Sequence, residues 1–453
     1  MSNFLILIIA FIVAISVLVA VHEFGHFWVA RRLGIKVLRF SIGFGKPIWS
    51  RVAGPDQTEY VISALPLGGY VKMLDEREGP IAEADRGRAF NQAPVWARLA
   101  VLAAGPAFNF LFAIVAYWAL FMLGVSELRP VIGEIEADSH AGRAGLVAGQ
   151  EIVSVDHAPV ENWQEANLAI VDDLVDDGII KLTVLDEQGE PREVTIDAVA
   201  DKRRLTEPGE LLNGLGIYIV PRNTPPIIGE VSDGDAAAAA GIQVGDRIVA
   251  FSDTPVDNWI DLRRYVEAHP EETVDVTIER DGSELTLPIT LGVTRRDGQR
   301  VGLMGVVGQD PPGARPVEVS YGPVDAAVRA VAMTGEMTTF TIRMLWRMVV
   351  GDFSLKNLSG PITIAEYAGE TARLGPEAFL SFLAIVSISL GILNLLPVPI
   401  LDGGQMVFQL AEAIKGRPLS AETELRGQQV GIFLLLMLMS LAIFNDISRV
   451  LSG

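Results

Sequence analysis

An uncharged apolar run over residues 4–21 leads without a break into His22-Glu23-Phe24-Gly25-His26. Continued to about Phe27, the run is long enough to cross a bilayer core as a helix. Helical periodicity then sets the two imidazoles one turn apart on the same face, with the Glu23 carboxylate beside them. That is the arrangement of a zinc hydrolase. An isolated His-x-x-x-His also recurs on soluble helices, but ionisable residues in a membrane helix are costly and mark function. The chain has five histidines; the other three, His140, His157 and His269, lie in polar stretches and read as solvated surface residues.

Residues 99–125, 379–401 and 427–445 are the other stretches apolar enough to span. A cleaved signal peptide is the alternative for the first run, but it lacks a basic start and a small-residue cleavage site, and cleavage there would remove the motif. Half of the residues are apolar while one-fifth are charged, which suits a membrane protein carrying soluble portions. With no cysteine, a zinc site has only histidine and carboxylate ligands to draw on.

Charge sets the expected orientation. Residues 31–98, between the first two spans, hold 11 Lys+Arg against 7 Asp+Glu, and Lys415, Arg417 and Arg426 lie between the last two. Both loops are expected on the cytoplasmic side, which puts the central region outside. That region, residues 127–321, holds 16 Lys+Arg and 37 Asp+Glu, an acidity that argues against nucleic-acid binding.

The central region contains a repeat. Residues 130–163 and 226–259, offset by 96 positions, are identical at 14 of 34 positions without gaps. Each copy continues into a helical and then a strand pattern, so two small α+β domains of about 90 residues are expected. On Ala144-Gly145-Leu146 with Gly149, and Ala240-Gly241-Ile242 with Gly245-Asp246, the copies resemble PDZ domains of bacterial membrane and exported proteases. Such domains capture a peptide as an added strand; steric filtering is the equal alternative here. Residues 37–73 have strand composition punctuated by Gly and Pro, and are expected as a hairpin or small sheet. That element either holds substrate by strand addition or only caps the helices on the cytoplasmic side. Residues 311–323 read as a linker, and 324–350 as an amphipathic helix for the outer membrane surface.

Two histidines leave a catalytic zinc short of a third protein ligand. The best candidate is Asp402 in Asn394-Leu-Leu-Pro-Val-Pro-Ile-Leu-Asp402-Gly-Gly404, on the same expected side as His26. Its flanking glycines permit close backbone packing, and Pro397 and Pro399 would break the preceding helix. A plain helix-terminating Asp-Gly turn is the competing reading.

Together, the His-Glu-x-x-His helix, the Asn-x-x-Pro-x-Pro-x-Leu-Asp-Gly-Gly segment and the tandem PDZ-like copies resemble the site-2 protease family of intramembrane zinc metalloproteases, in its bacterial RseP-type form. Gly105-Pro106-x-x-Asn109 and Leu358-Ser-Gly-Pro361-Ile362 are similar to family segments as well. The resemblance implies zinc held by His22, His26 and Asp402, Glu23 as general base, and Asn394 helping to hold substrate. It implies single-span membrane proteins as substrates, including anti-sigma factors already trimmed outside, and remnant signal peptides. It also implies a bacterial inner-membrane location with periplasmic PDZ-like domains that meet exported peptides. The expected fold class is a multi-pass α-helical membrane protein with four transmembrane helices, a membrane-associated β-rich segment and two small α+β PDZ-like domains. Its expected boundaries are 1–126, 127–221, 222–310, 311–375 and 376–453. A non-catalytic peptide-binding scaffold has no use for Glu23 between two histidines, and a metal transporter would need more intramembrane acids or histidines.

Overall fold

A computed structural model describes residues 3–452 other than 80, 187, 220–223, 233, 297–298, 310–316 and 418. Part of the expected linker, residues 311–316, therefore lies outside the described residues. The chain divides into two units, one of Met1–Val125, Val319–Gly351 and Leu355–Gly453, the other of Ser126–Glu318 with Asp352–Ser354.

The first unit opens with α1 (Asn3–Arg32), which is apolar nearly all round and so suited to lipid. A folded-back hairpin follows, β1 (Val37–Ala53) and β2 (Thr58–Met73). Its register puts Phe40 opposite both Tyr60 and Val71, and Ser50 opposite Val61. Stretch 39–42 thus lies between 59–62 and 69–72, with 47–53 on the far side of 58–63. The outer strands are 47–53 and 69–73. Gly43 and Gly45, at φ of 92° and 90°, supply the bend inside β1 that most side chains would resist.

Helix α2 (Val95–Leu123) presents a buried stripe that includes Ala104, Gly105, Asn109, Ala113 and Ala116. Small residues let membrane helices approach closely. A Cβ on Gly25 of α1 would fall inside van der Waals contact of the Ala104 carbonyl. Helix α3 (Pro323–Val350) covers the expected amphipathic stretch, but its buried face is Ala326, Ala330, Thr334, Met337 and Met344, while Val328 and Val331 are exposed. Next comes α4 (Pro361–Leu374), then α5 (Pro376–Leu395), which is pinned to α2 by the Ser387 hydroxyl donating to the Asn109 carbonyl at 2.9 Å. The third apolar stretch stops being helical at Leu395, earlier than its hydropathy suggests. Leu396 precedes Pro397 and is extended (φ −62°, ψ 145°), because proline disfavours helical backbone in the residue before it. Helices α6 (Asp402–Lys415) and α7 (Ala421–Ser452) complete the unit. Among the described residues four helices are long and apolar enough to cross a membrane: Leu5–Arg32, Val95–Leu123, Pro376–Leu395 and Glu422–Arg449.

In the second unit, elements recur at the repeat offset. Strands Glu151–Val155 and Arg247–Phe251 each lead through a short strand to a helix, Trp163–Asp177 in the first copy and Trp259–Ala268 in the second. Each copy has a four-stranded sheet and its own core, one around Ile152, Ile170 and Leu182, the other around Ile248, Phe251 and Val276. Two of the three histidines of this unit are not simply solvated. His140 Nε2 lies 2.9 Å from Asp201, and the His269 ring stacks on Tyr265 at 4.1 Å; His157 alone is an exposed turn residue. Each ring has an apolar face that a neighbour can cover, which polarity of the flanking sequence does not reveal.

Candidate metal centre

The 3.6-residue period of α1 puts His22 and His26 side by side, both buried, with their Nε2 atoms 3.2 Å apart. Asp402 comes to them from the far end of the chain. Its Oδ2 lies 3.1 Å from His22 Nε2 and 3.4 Å from His26 Nε2. The residue opens α6 and does not terminate a helix, and its carboxylate suits the positive end of that helix. A Cβ on Gly403 or Gly404 would collide with the carbonyls of Leu395 or Val398. Those two glycines therefore permit the tight passage from the proline-containing segment into α6.

These three atoms are the set among the described residues that could hold a metal ion. Tetrahedral zinc with bonds of about 2.0–2.2 Å has ligand–ligand edges of about 3.3–3.6 Å. The observed 3.1, 3.2 and 3.4 Å sides form a slightly contracted face of such a tetrahedron. Asp402 Oδ2 is buried and has no hydrogen-bond donor in acceptable geometry, a costly state for a carboxylate unless a cation takes the lone pair. His26 Nδ1 lies 2.8 Å from the Val101 carbonyl. A carbonyl only accepts, so Nδ1 carries the proton and the lone pair stays on Nε2. Space is reserved as well: a Cβ on Gly105 of α2 would intrude on His26 Nε2 and come within 2.7 Å of His22 Cε1. The residues fit zinc.

Glu23 is half-buried beside this cluster, on the same helix as both histidines. Gly69 lets outer strand 69–73 pass next to α1, where a Cβ would come within 2.8 Å of Val19 Cγ1 and 3.0 Å of Glu23 Cγ. The carboxylate therefore stands between the metal cluster and an unpaired sheet edge. Asn394, in the last turn of α5, is half-buried and outside the three-residue cluster.

Two buried histidines and a glutamate on a helix of membrane-spanning length, met by a half-buried carboxylate, define a metallohydrolase built into a membrane protein. The chain belongs to peptidase family M50, which it matches over residues 10–438. It is 42% identical over 453 residues, 99% of this chain and 100% of the relative, to the regulator of sigma-E protease RseP of Escherichia coli (strain K12). It is 41% identical over 456 residues to a protein of Vibrio cholerae named "Putative zinc metalloprotease", covering 99% of this chain and 100% of that one. It is also 41% identical over 452 residues to protease RseP of Yersinia pestis, with 97% and 98% covered. The protein is a zinc metalloprotease of the membrane.

Local sequence marks Gly105 and Asn109 only as part of a family-like segment and gives neither a role. Asn109 was the more legible: a lone amide in an otherwise apolar helix needs a partner, and here it faces His22. The closeness of Gly105 to both rings depends on how α1 and α2 cross, which no local pattern encodes.

Proposed function

We propose that His22, His26 and Asp402 hold the zinc ion and that Glu23 is the general base of peptide-bond hydrolysis at membrane depth. The observation that carries this reading is the triangle of Nε2, Nε2 and Oδ2 with sides of 3.1–3.4 Å. A zinc ion held there supplies Lewis acidity, which brings the pKa of water toward about 7 and polarises the scissile carbonyl. Glu23 accepts the proton of the attacking water and passes it to the leaving nitrogen, so that one water is added across one peptide bond. A helical substrate must first unwind, because its carbonyls are engaged. Outer strand 69–73 offers an extended substrate segment a backbone partner, and the Asn394 amide is suited to a further hydrogen bond to it.

The substrates in this reading are single-span membrane proteins of the anti-sigma-factor type after trimming outside, and remnant signal peptides. The charge asymmetry supports a site toward the cytoplasm of the inner membrane, with the acidic central region in the periplasm. There the two copies act as PDZ-like domains. A cavity of about 530 Å³ in the first, lined by Asn167, Leu211, Leu212, Ile217 and Tyr218, favours capture of an exported peptide over filtering alone.

The test incubates the purified full-length protein with a single-span model substrate. Glu23→Gln should abolish cleavage while keeping zinc, and Asp402→Ala should lose zinc. Equal product from wild type and Glu23→Gln would sink the assignment.

A further inference from the structure

We propose that Asn109 is a positioning residue whose side-chain oxygen accepts a hydrogen bond from His22 Nδ1–H and so keeps the His22 Nε2 lone pair aimed at the metal. The inference rests on the ligand assignment above and adds to it the residue that fixes one ligand's tautomer. Asn109 is fully buried in α2, and its amide lies 3.2 Å from His22 Nδ1. Placed with the NH₂ toward the ring, the amide leaves Oδ1 buried with no donor and would donate to Nδ1. That puts the proton of a neutral His22 on Nε2, the atom 3.1 Å from Asp402 Oδ2, and a protonated Nε2 cannot ligate.

Side-chain amide oxygen and nitrogen are assigned from the hydrogen-bond network they make. Exchanging them gives Nδ1–H an acceptor and frees Nε2. The result matches His26, whose Nδ1 donates to Val101 O two turns earlier on the same helix. Helix α2 then orients both rings, one through a backbone carbonyl and one through a side-chain amide. Ser387 holds Asn109 in place through the backbone carbonyl, a link that side-chain substitution leaves intact.

Outer partners of this kind are worth about 10- to 100-fold in metal affinity. The experiment measures zinc affinity by chelator competition, and the visible spectrum of the cobalt-substituted protein, for the full chain with Asn109→Leu, Asn109→Asp and His22→Ala. Asn109→Leu should bind zinc roughly 10- to 100-fold more weakly with an altered cobalt spectrum. Asn109→Asp, which only accepts, should restore wild-type affinity to within a few-fold. Wild-type affinity in Asn109→Leu, or equal loss in both variants, overturns the proposal. Wild-type affinity in His22→Ala overturns the ligand assignment instead. If Asn109→Asp does not fold, nitrogen-15 spectra of histidine side chains in the zinc-loaded wild type decide: a His22 ring bound to zinc through Nε2 with a hydrogen-bonded proton on Nδ1 supports the proposal, and one without that proton refutes it.

Discussion

Gly105 and His26 lie so close that no side chain fits between them: a Cβ at 105 would intrude on His26 Nε2. The missing methyl is thus part of the metal site, although glycine contributes no ligand. Gly105→Ala should displace the ring at a cost of about 1–3 kcal/mol, which lowers zinc affinity by roughly 10- to 100-fold. Zinc content after dialysis against a weak chelator reads this directly. Full zinc retention at unchanged affinity would mean that the helices separate readily to admit the methyl.

The hairpin register changes what can test strand addition. Stretches 39–42 and 59–62 are both paired inside the sheet, so proline there would damage the fold without reporting on substrate. The chain has no cysteine, which allows a cleaner experiment. Tyr70→Cys or Lys72→Cys, on the outer strand beside Glu23, should form a disulfide with a cysteine placed near the scissile bond of a substrate. Ser50→Cys and Val52→Cys, on the opposite outer strand, should not. Equal crosslinking from both strands would remove the edge at 69–73 from the mechanism.

Asp446 of α7 caps the start of a helix 83–86 residues away in sequence. Its carboxylate, only 1% exposed, accepts from the backbone N–H groups of Gly360, Ile362 and Thr363 and from the Thr363 hydroxyl. These are the groups that the start of α4 leaves unsatisfied. Charge-assisted bonds to buried N–H groups make the loss large, and Asp446→Ala should destabilise the membrane unit by about 2–4 kcal/mol. The midpoint of denaturant unfolding in detergent checks it; a change below about 0.5 kcal/mol would mean that water replaces the carboxylate.

Acid should loosen the second repeat copy before the first. Burial pushes the Asp246 carboxyl up, but hydrogen bonds from Arg280 and from the Gln243 N–H, together with the Arg280 charge, outweigh it and hold the group below its ordinary 3.8. A depressed folded value stabilises the fold above the unfolded pKa, and that stability is lost as pH falls below about 4 and through the folded one. At the same repeat position the first copy has Gln150, which accepts from Val147 N–H and carries no charge. Hydrogen-exchange protection factors, corrected for the intrinsic pH dependence of exchange, should therefore fall between pH 7 and pH 3 around residues 241–251 and hold around 145–155. Asp246→Gln should remove the difference, and an unchanged difference would assign it to another group.

Much of the site was legible because its parts obey local rules. The spacing of His22 and His26 needs only a helix, the breaks at Pro397 and Pro399 need only proline geometry, and strand composition marked the β1–β2 hairpin. The three-residue cluster brings Asp402 to the histidines although it follows His26 by 376 positions. What escaped depends on contact between distant segments. Nothing near Asp446 announces that it caps α4, and Gly105 and Asn109 acquire roles only once α2 lies against α1. Hydropathy continues through Leu401, but the prolines that follow end the third helix at Leu395, so apolarity alone overstates its length.

The order of the proposed ligands along the chain also has a consequence in time. At about 5–20 residues per second, the ribosome needs roughly 20–75 s to travel from His26 to Asp402. Throughout that interval the two imidazoles have been made, while the carboxylate that would complete the set has not. On this assignment the ligand set stays incomplete until nearly nine-tenths of the chain has been synthesised.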